Sequence, residues 1–141
     1  GITCDFVQSN QSKSSKGVLR GLHFQRPPKQ QAKLVRVLEG SIFDVAVDIR
    51  PHSKTYGKWV GYYLDSTQQN MLFIPKDYAH GFYVVSDTAT VLYQCSDTYA
   101  PELEGSILYN DPSIDIHWPL SAPPLLSAKD KAGVSLTNLK I

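Results

Sequence analysis

Three residues of this 141-residue chain carry proton-transfer or charged groups at positions where strand alternation expects apolar side chains: His23, Lys33 and Tyr93. Successive side chains of a strand point to opposite sides. In 17–25, Leu19, Gly21, His23 and Gln25 therefore share one face, and Val18, Arg20, Leu22 and Phe24 the other. Lys33 shares its face with Val35 and Val37, and Tyr93 shares its own with Val91 and Cys95. Each alone has an ordinary reading: a hydrogen-bonded core histidine, a lysine at a strand end, a tyrosine with its hydroxyl in water. As a set they hold more. A base, a cation and a phenol can remove a proton beside a carbonyl, neutralise the enolate oxygen and return a proton from the opposite side. That is epimerase chemistry.

His80, in Pro75-Lys76-Asp77-Tyr78-Ala79-His80-Gly81-Phe82, enters a strand after a turn. It either reaches a barrel mouth, where it would contact substrate, or hydrogen-bonds at the turn. His52 and His117 read as loop and rim residues. Metal ligation wants two or three neighbouring His or carboxylate side chains, often spaced HxH on one strand face, and here Gln25 stands two positions after His23. The pattern disfavours a metal. No glycine-rich phosphate loop, GxSxG elbow or Cys-His nucleophile pair occurs, and Glu104-Gly105-Ser106 reads as a turn.

Strands must position these groups. Short β-branched and aromatic runs alternate with Gly, Pro, Asn, Asp and Ser, the period-2 signal of β structure. The pattern predicts strands at 3–8, 17–25, 33–38, 41–49, 59–64, 70–74, 81–86, 89–96 and 106–109. Phe43, Val45, Val47 and Ile49 alternate with Ile42, Asp44, Ala46 and Asp48, as expected of a half-buried strand, and Glu39-Gly40 before it looks like a hairpin turn. Ser127-Ala128-Lys129-Asp130 predicts a short capped helix near the end. So many antiparallel strands close without exposed edges as a jelly roll or a small barrel, and the length suits one domain over 1–141.

Composition bounds the partners. Fourteen Lys and Arg against thirteen Asp and Glu give a net charge of +1, so no global basic excess attracts nucleic acid or anionic lipid. Residues 1–40 hold a local +5, enough to favour an anionic small-molecule ligand. The apolar run at 59–64 is far below the roughly 18 residues of a membrane helix, and no signal segment is visible. Cys4 and Cys95 are the two cysteines, without metal-site spacing, which favours a reducing, cytoplasmic location.

Ten motifs in order between Phe6 and Asp130 resemble the dTDP-4-dehydrorhamnose 3,5-epimerase family of cupin-fold enzymes. They are Phe6-Val7-Gln8-Ser9-Asn10, Gly17-Val18-Leu19-Arg20-Gly21-Leu22-His23-Phe24-Gln25, Lys33-Leu34-Val35-Arg36, Phe43-Asp44-Val45-Ala46-Val47-Asp48, Ile74-Pro75 to Ala79-His80-Gly81-Phe82, Leu92-Tyr93, Tyr99-Ala100-Pro101, Asn110-Asp111, Ile116-His117-Trp118-Pro119 and Leu126-Ser127-Ala128-Lys129-Asp130. The resemblance implies an all-β cupin jelly roll acting on dTDP-4-dehydro-6-deoxy-D-glucose at C3 and C5, without a cofactor. By the same resemblance His23 is the base, Asp130 the carboxylate that orients it, Lys33 the cation facing the C4 oxygen and Tyr93 the acid on the other face. Gln8, Asn10, Arg20, Tyr99, Glu104 and Lys129 match positions that hold the nucleotide, and the assembly implied is a homodimer. Arg20, on the face opposite His23, suits a diphosphate, because guanidinium offers phosphate a fork of donors.

Relative to the family, the chain is expected to lack leading strands, part of which cross to the partner subunit, and Ser9 stands where Asp is common. Three alternatives stay open at this level: a single-centre epimerase, a non-catalytic cupin that binds a sugar nucleotide, and a metal-dependent cupin oxygenase or isomerase resting on His23 and His80.

Overall fold

The computed structural model describes residues 1–141. Eight strands form the sandwich: β1 (Gln8–Ser15), β2 (Leu19–Gln25), β3 (Lys33–Glu39), β4 (Ser41–Asp48), β5 (Trp59–Asp65), β6 (Met71–Ile74), β7 (Tyr78–Val84) and β8 (Thr88–Cys95). A short β9 (Glu104–Ser106) adds to the edge of β2, and one helical turn, α1 (Ala128–Lys131), follows. One sheet runs β1-β8-β3-β6 and the other β5-β4-β7-β2-β9. First strand pairs with eighth, second with seventh, third with sixth and fourth with fifth, all antiparallel. That nested pairing is the jelly roll expected from the strand count.

Two apolar clusters hold the sheets. Val35, Val37, Ile42, Ala46, Phe82 and Val91 belong to the one between them. Phe43, Val45 and Val47 project from the other side of β4 and meet Ile107, Ile114 and Leu136 of the C-terminal segment. Strand β4 is therefore buried on both faces rather than half-buried, because the chain after β9 returns to cover the outside of its sheet. Asp111 anchors that return: its buried carboxylate accepts the Leu136 amide at 2.6 Å and the Ser113 hydroxyl at 2.8 Å.

Most predicted strands form within a few residues of their expected ends, and three further expectations change. Glu104-Gly105-Ser106 is not a turn but β9 itself, because it pairs with His23–Gln25 at the edge of β2, and the strand expected at 106–109 ends at Ser106. The first strand lies at Gln8–Ser15 instead of 3–8, for its inward side chains are polar, Gln8, Asn10 and Ser12 facing a cavity and Ser14 buried against Arg20, leaving no apolar alternation to detect. The Glu39-Gly40 turn joins no hairpin, because β3 and β4 lie in different sheets and the chain turns a corner between them. Gly40, at φ +80°, supplies the left-handed backbone that this corner needs.

Candidate active site

Between the sheets lies a cavity of about 350 Å³. His23 comes from β2 in one sheet, whereas Lys33 (β3) and Tyr93 (β8) come from the other, so the groups picked out by alternation face one space from opposite walls. Gln8, Asn10, Arg20, His80, Tyr99, Glu104 and Lys129 line the same cavity. Asp130 sits behind His23.

Antiparallel pairing explains part of this. His23 pairs with His80 of β7, and Arg20 with Phe82, so three steps along β2 match two along β7. The extra residue is a bulge, which re-aims side chains. It places Arg20 on the cavity with His23 rather than opposite to it, correcting the strict-alternation reading. Gly21 makes the bulge possible. At φ +122°, a Cβ there would lie 2.6 Å from Gly81 Cα and 2.7 Å from the His80 carbonyl oxygen.

The His23 Nε2 is 2.6 Å from Asp130 Oδ1, while Asp130 Oδ2 accepts the Gly21 amide at 3.1 Å. Ser127 caps α1 by accepting the Asp130 amide, which sets the carboxylate at the start of the turn. Asp130 is 2% exposed. Burial opposes its ionisation, yet the hydrogen bond and charge of His23 and the Gly21 amide outweigh that, so its carboxyl lies below the usual range. An ionised carboxylate holds Nε2–H, leaving Nδ1 as the ring nitrogen free to accept a proton.

On the opposite wall the Lys33 ammonium lies 5.7 Å from the centre of the Tyr93 ring. Burial pulls the Lys33 pKa down, partly offset by Cys95, Asp44 and Glu104. Burial pushes the Tyr93 hydroxyl up. A desolvated cation beside a phenol that keeps its proton suits stabilisation of a developing oxyanion next to a proton donor.

His80 is 5% exposed, and its Nε2 lies 2.6 Å from Asp44 Oδ1. It is thus neither at a mouth nor in a turn but in the cavity wall, and burial lowers its pKa against the pull of Asp44. Asp44, wholly buried, is a partner that sequence reasoning missed; its signal was a carboxylate in an otherwise apolar strand. Towards the rim, Lys129 donates to Glu104 at 2.6 Å and the Tyr99 amide donates to Gln8 Oε1 at 2.8 Å. Gln25 does not stand in for a ligand residue: its amide bonds the Lys29 carbonyl at 2.7 Å and the Ala100 amide at 2.8 Å. No group of three His, Cys, Asp or Glu side chains is arranged to hold a metal ion.

The family model for dTDP-4-dehydrorhamnose 3,5-epimerase matches residues 1–138. The chain belongs to that family. It is 56% identical over 128 residues to the dTDP-4-dehydrorhamnose 3,5-epimerase of Neisseria gonorrhoeae, covering 91% of this chain and 39% of that protein. With the Salmonella typhimurium enzyme of that name it shares 55% over 132 residues, covering 94% and 72%. The dTDP-6-deoxy-D-glucose-3,5-epimerase of Legionella pneumophila, solved in complex with dTDP-4-keto-L-rhamnose, superposes with a TM-score of 0.95 at 52% identity, covering 99% of this chain and 73% of that one. The nested strand order is accordingly that of a cupin jelly roll.

Proposed function

We propose that the chain epimerises dTDP-4-dehydro-6-deoxy-D-glucose at C3 and C5, giving dTDP-4-dehydro-L-rhamnose. The observation that carries this is the placement of His23, backed by Asp130 of α1, on one sheet and of Lys33 and Tyr93 on the other, across a single cavity. His23 Nδ1 takes the proton from the carbon next to the C4 ketone, and Asp130 stabilises the imidazolium formed. Electron density moves onto the C4 oxygen, where the Lys33 ammonium offsets the charge. Tyr93 returns a proton to the same carbon from the other wall, which inverts the centre. The cycle repeats at the second carbon once the two groups have exchanged protons with water.

Gln8, Asn10, Arg20, His80, Tyr99, Glu104 and Lys129 hold the nucleotide and sugar in this reading. It takes residues 1–141 as one catalytic cupin domain, working as a homodimer in the cytoplasm. Two unpaired cysteines and a fold without any helix long and apolar enough to cross a membrane support that setting.

Proton NMR of dTDP-4-dehydro-6-deoxy-D-glucose with the protein in deuterated water tests the proposal. Loss of signal at both C3 and C5 is the expected result. Loss at one position would make this a single-centre enzyme, and bound nucleotide without any exchange would make it a binding protein. Tyr93→Phe is expected to keep deuterium wash-in while losing inversion; abolished wash-in with an intact fold would take the acid role from Tyr93.

A further inference from the structure

Strand β1 presents four polar side chains inward at every second residue, and three have partners. Gln8 Nε2 donates to Asn10 Oδ1 at 3.1 Å, Asn10 Nδ2 reaches Cys95 Sγ at 3.7 Å, and Ser14 Oγ accepts Arg20 Nε at 3.0 Å. Ser12 has none. Its hydroxyl oxygen is shut off from solvent and unpartnered, although Ser12 lines the cavity. Buried hydroxyls almost always find a partner, and an exception asks for an explanation. The register sets Ser12 opposite Val91 and Asn10 opposite Tyr93, so Ser12 stands between the Tyr93 position and the serine that aims Arg20.

Arg20 supplies the other half of the argument. With Nε tied to Ser14, the two terminal nitrogens of its guanidinium remain for a ligand, the arrangement that binds a phosphoryl group through two parallel hydrogen bonds. A hydroxyl carries both a donor and acceptor lone pairs, and rotation of the Ser12 side chain to the staggered rotamer that faces the cavity it lines lets the hydroxyl donate its hydrogen to an anionic phosphate oxygen. We infer that Ser12 is a substrate-binding residue whose hydroxyl donates to the diphosphate oxygen held by Arg20. Ser12 and Ser14 then play complementary parts, Ser14 fixing the direction of the guanidinium and Ser12 supplying a further donor to the same phosphoryl group. The inference rests on the nucleotide-sugar reading above and extends it to a residue that reading does not use.

Its test compares the Ser12→Ala protein with the wild type, titrated calorimetrically with dTDP and with thymidine and followed through thermal unfolding. A hydrogen bond to a charged oxygen predicts dTDP binding weakened about ten- to hundredfold. Thymidine binding is expected to stay unchanged. Because the hydroxyl has no partner in the empty protein, its removal should leave the melting temperature equal or higher. Unchanged dTDP affinity in Ser12→Ala, or an equal loss for thymidine, overturns the assignment to the diphosphate. A lowered melting temperature with unchanged affinity makes Ser12 a structural residue. A wild-type protein that binds no dTDP overturns the nucleotide reading itself, an outcome visible before any variant is compared.

Discussion

Asp130 grips two parts of β2 at once, the His23 ring through Oδ1 and the Gly21 amide through Oδ2. An asparagine there keeps one acceptor oxygen. If it bonds Gly21, its NH₂ faces Nε2 and forces the proton onto Nδ1, removing the lone pair that must take the substrate proton. Asp130→Asn is expected to lower kcat by about 10³-fold while dTDP affinity stays within about threefold, read by steady-state kinetics and calorimetry. Lys33 offers a second check. Its pKa is lowered by burial, so between that value and 10.5 the unfolded chain binds more protons than the folded one, and wild-type stability rises with pH across the window. Lys33→Met is expected to melt above wild type at pH 7, with the gap closing as pH approaches 10.5; a gap independent of pH would show that Lys33 is not desolvated. His23, Lys33 and Tyr93 were legible because each interrupts an apolar face. Ser12 was not, since a serine among polar neighbours interrupts nothing, and its meaning emerges only from the hydrogen bond it lacks.

At the scale of elements, the bulge in β2 decides which side chains meet. Strict alternation separates Arg20 from His23; the extra residue brings both to the cavity, and Gly21 and Gly81 allow the backbones to approach closely enough for it. Gly17 is also left-handed, at φ +87°, but a Cβ there would meet nothing within 4 Å. The two positions separate steric contact from conformational preference. Gly17→Ala is expected to cost about 1 kcal/mol. Gly21→Ala is expected to cost at least about 2 kcal/mol in denaturant unfolding and to depress wash-in as well, because the strand carrying His23 must shift. Equal costs would mean that the strands relax freely around the added methyl group. The hydrophobic pattern located β2 to β8 because each is a run of β-branched, aliphatic or aromatic residues between turn residues, β5 included although its Val60, Tyr62 and Tyr63 stay exposed. It placed β1 too early, over 3–8 with Phe6 and Val7, when the strand's inward side chains are polar.

The whole molecule is a sandwich with a third covering. Residues after β9 contribute Ile107, Ile114 and Leu136 to the outer cluster, and the same return of the chain carries Asp130 to His23. Leu136→Ala is expected to cost about 2–4 kcal/mol, since it empties volume next to Ile107 and Ile114 instead of exposing surface. Thermal and denaturant unfolding measure this, and a cost below about 1 kcal/mol would show that the covering is loosely packed. Little of this covering was visible in the sequence beyond the capped turn at Ser127, because the segment has hardly any regular structure and its role lies in what it packs against.

The separation of His23 from Asp130 by 107 positions has a consequence for synthesis. At about 5–20 residues per second, the ribosome needs roughly 5–20 s after making the base to make the carboxylate that orients it. The inner cluster closes with residues no later than Val91, so the nascent chain can pack its two sheets before its chemistry is assembled. A chain that ends between Val91 and Asp130 therefore holds every buried residue of the inner cluster and the base, yet lacks the carboxylate that orients that base.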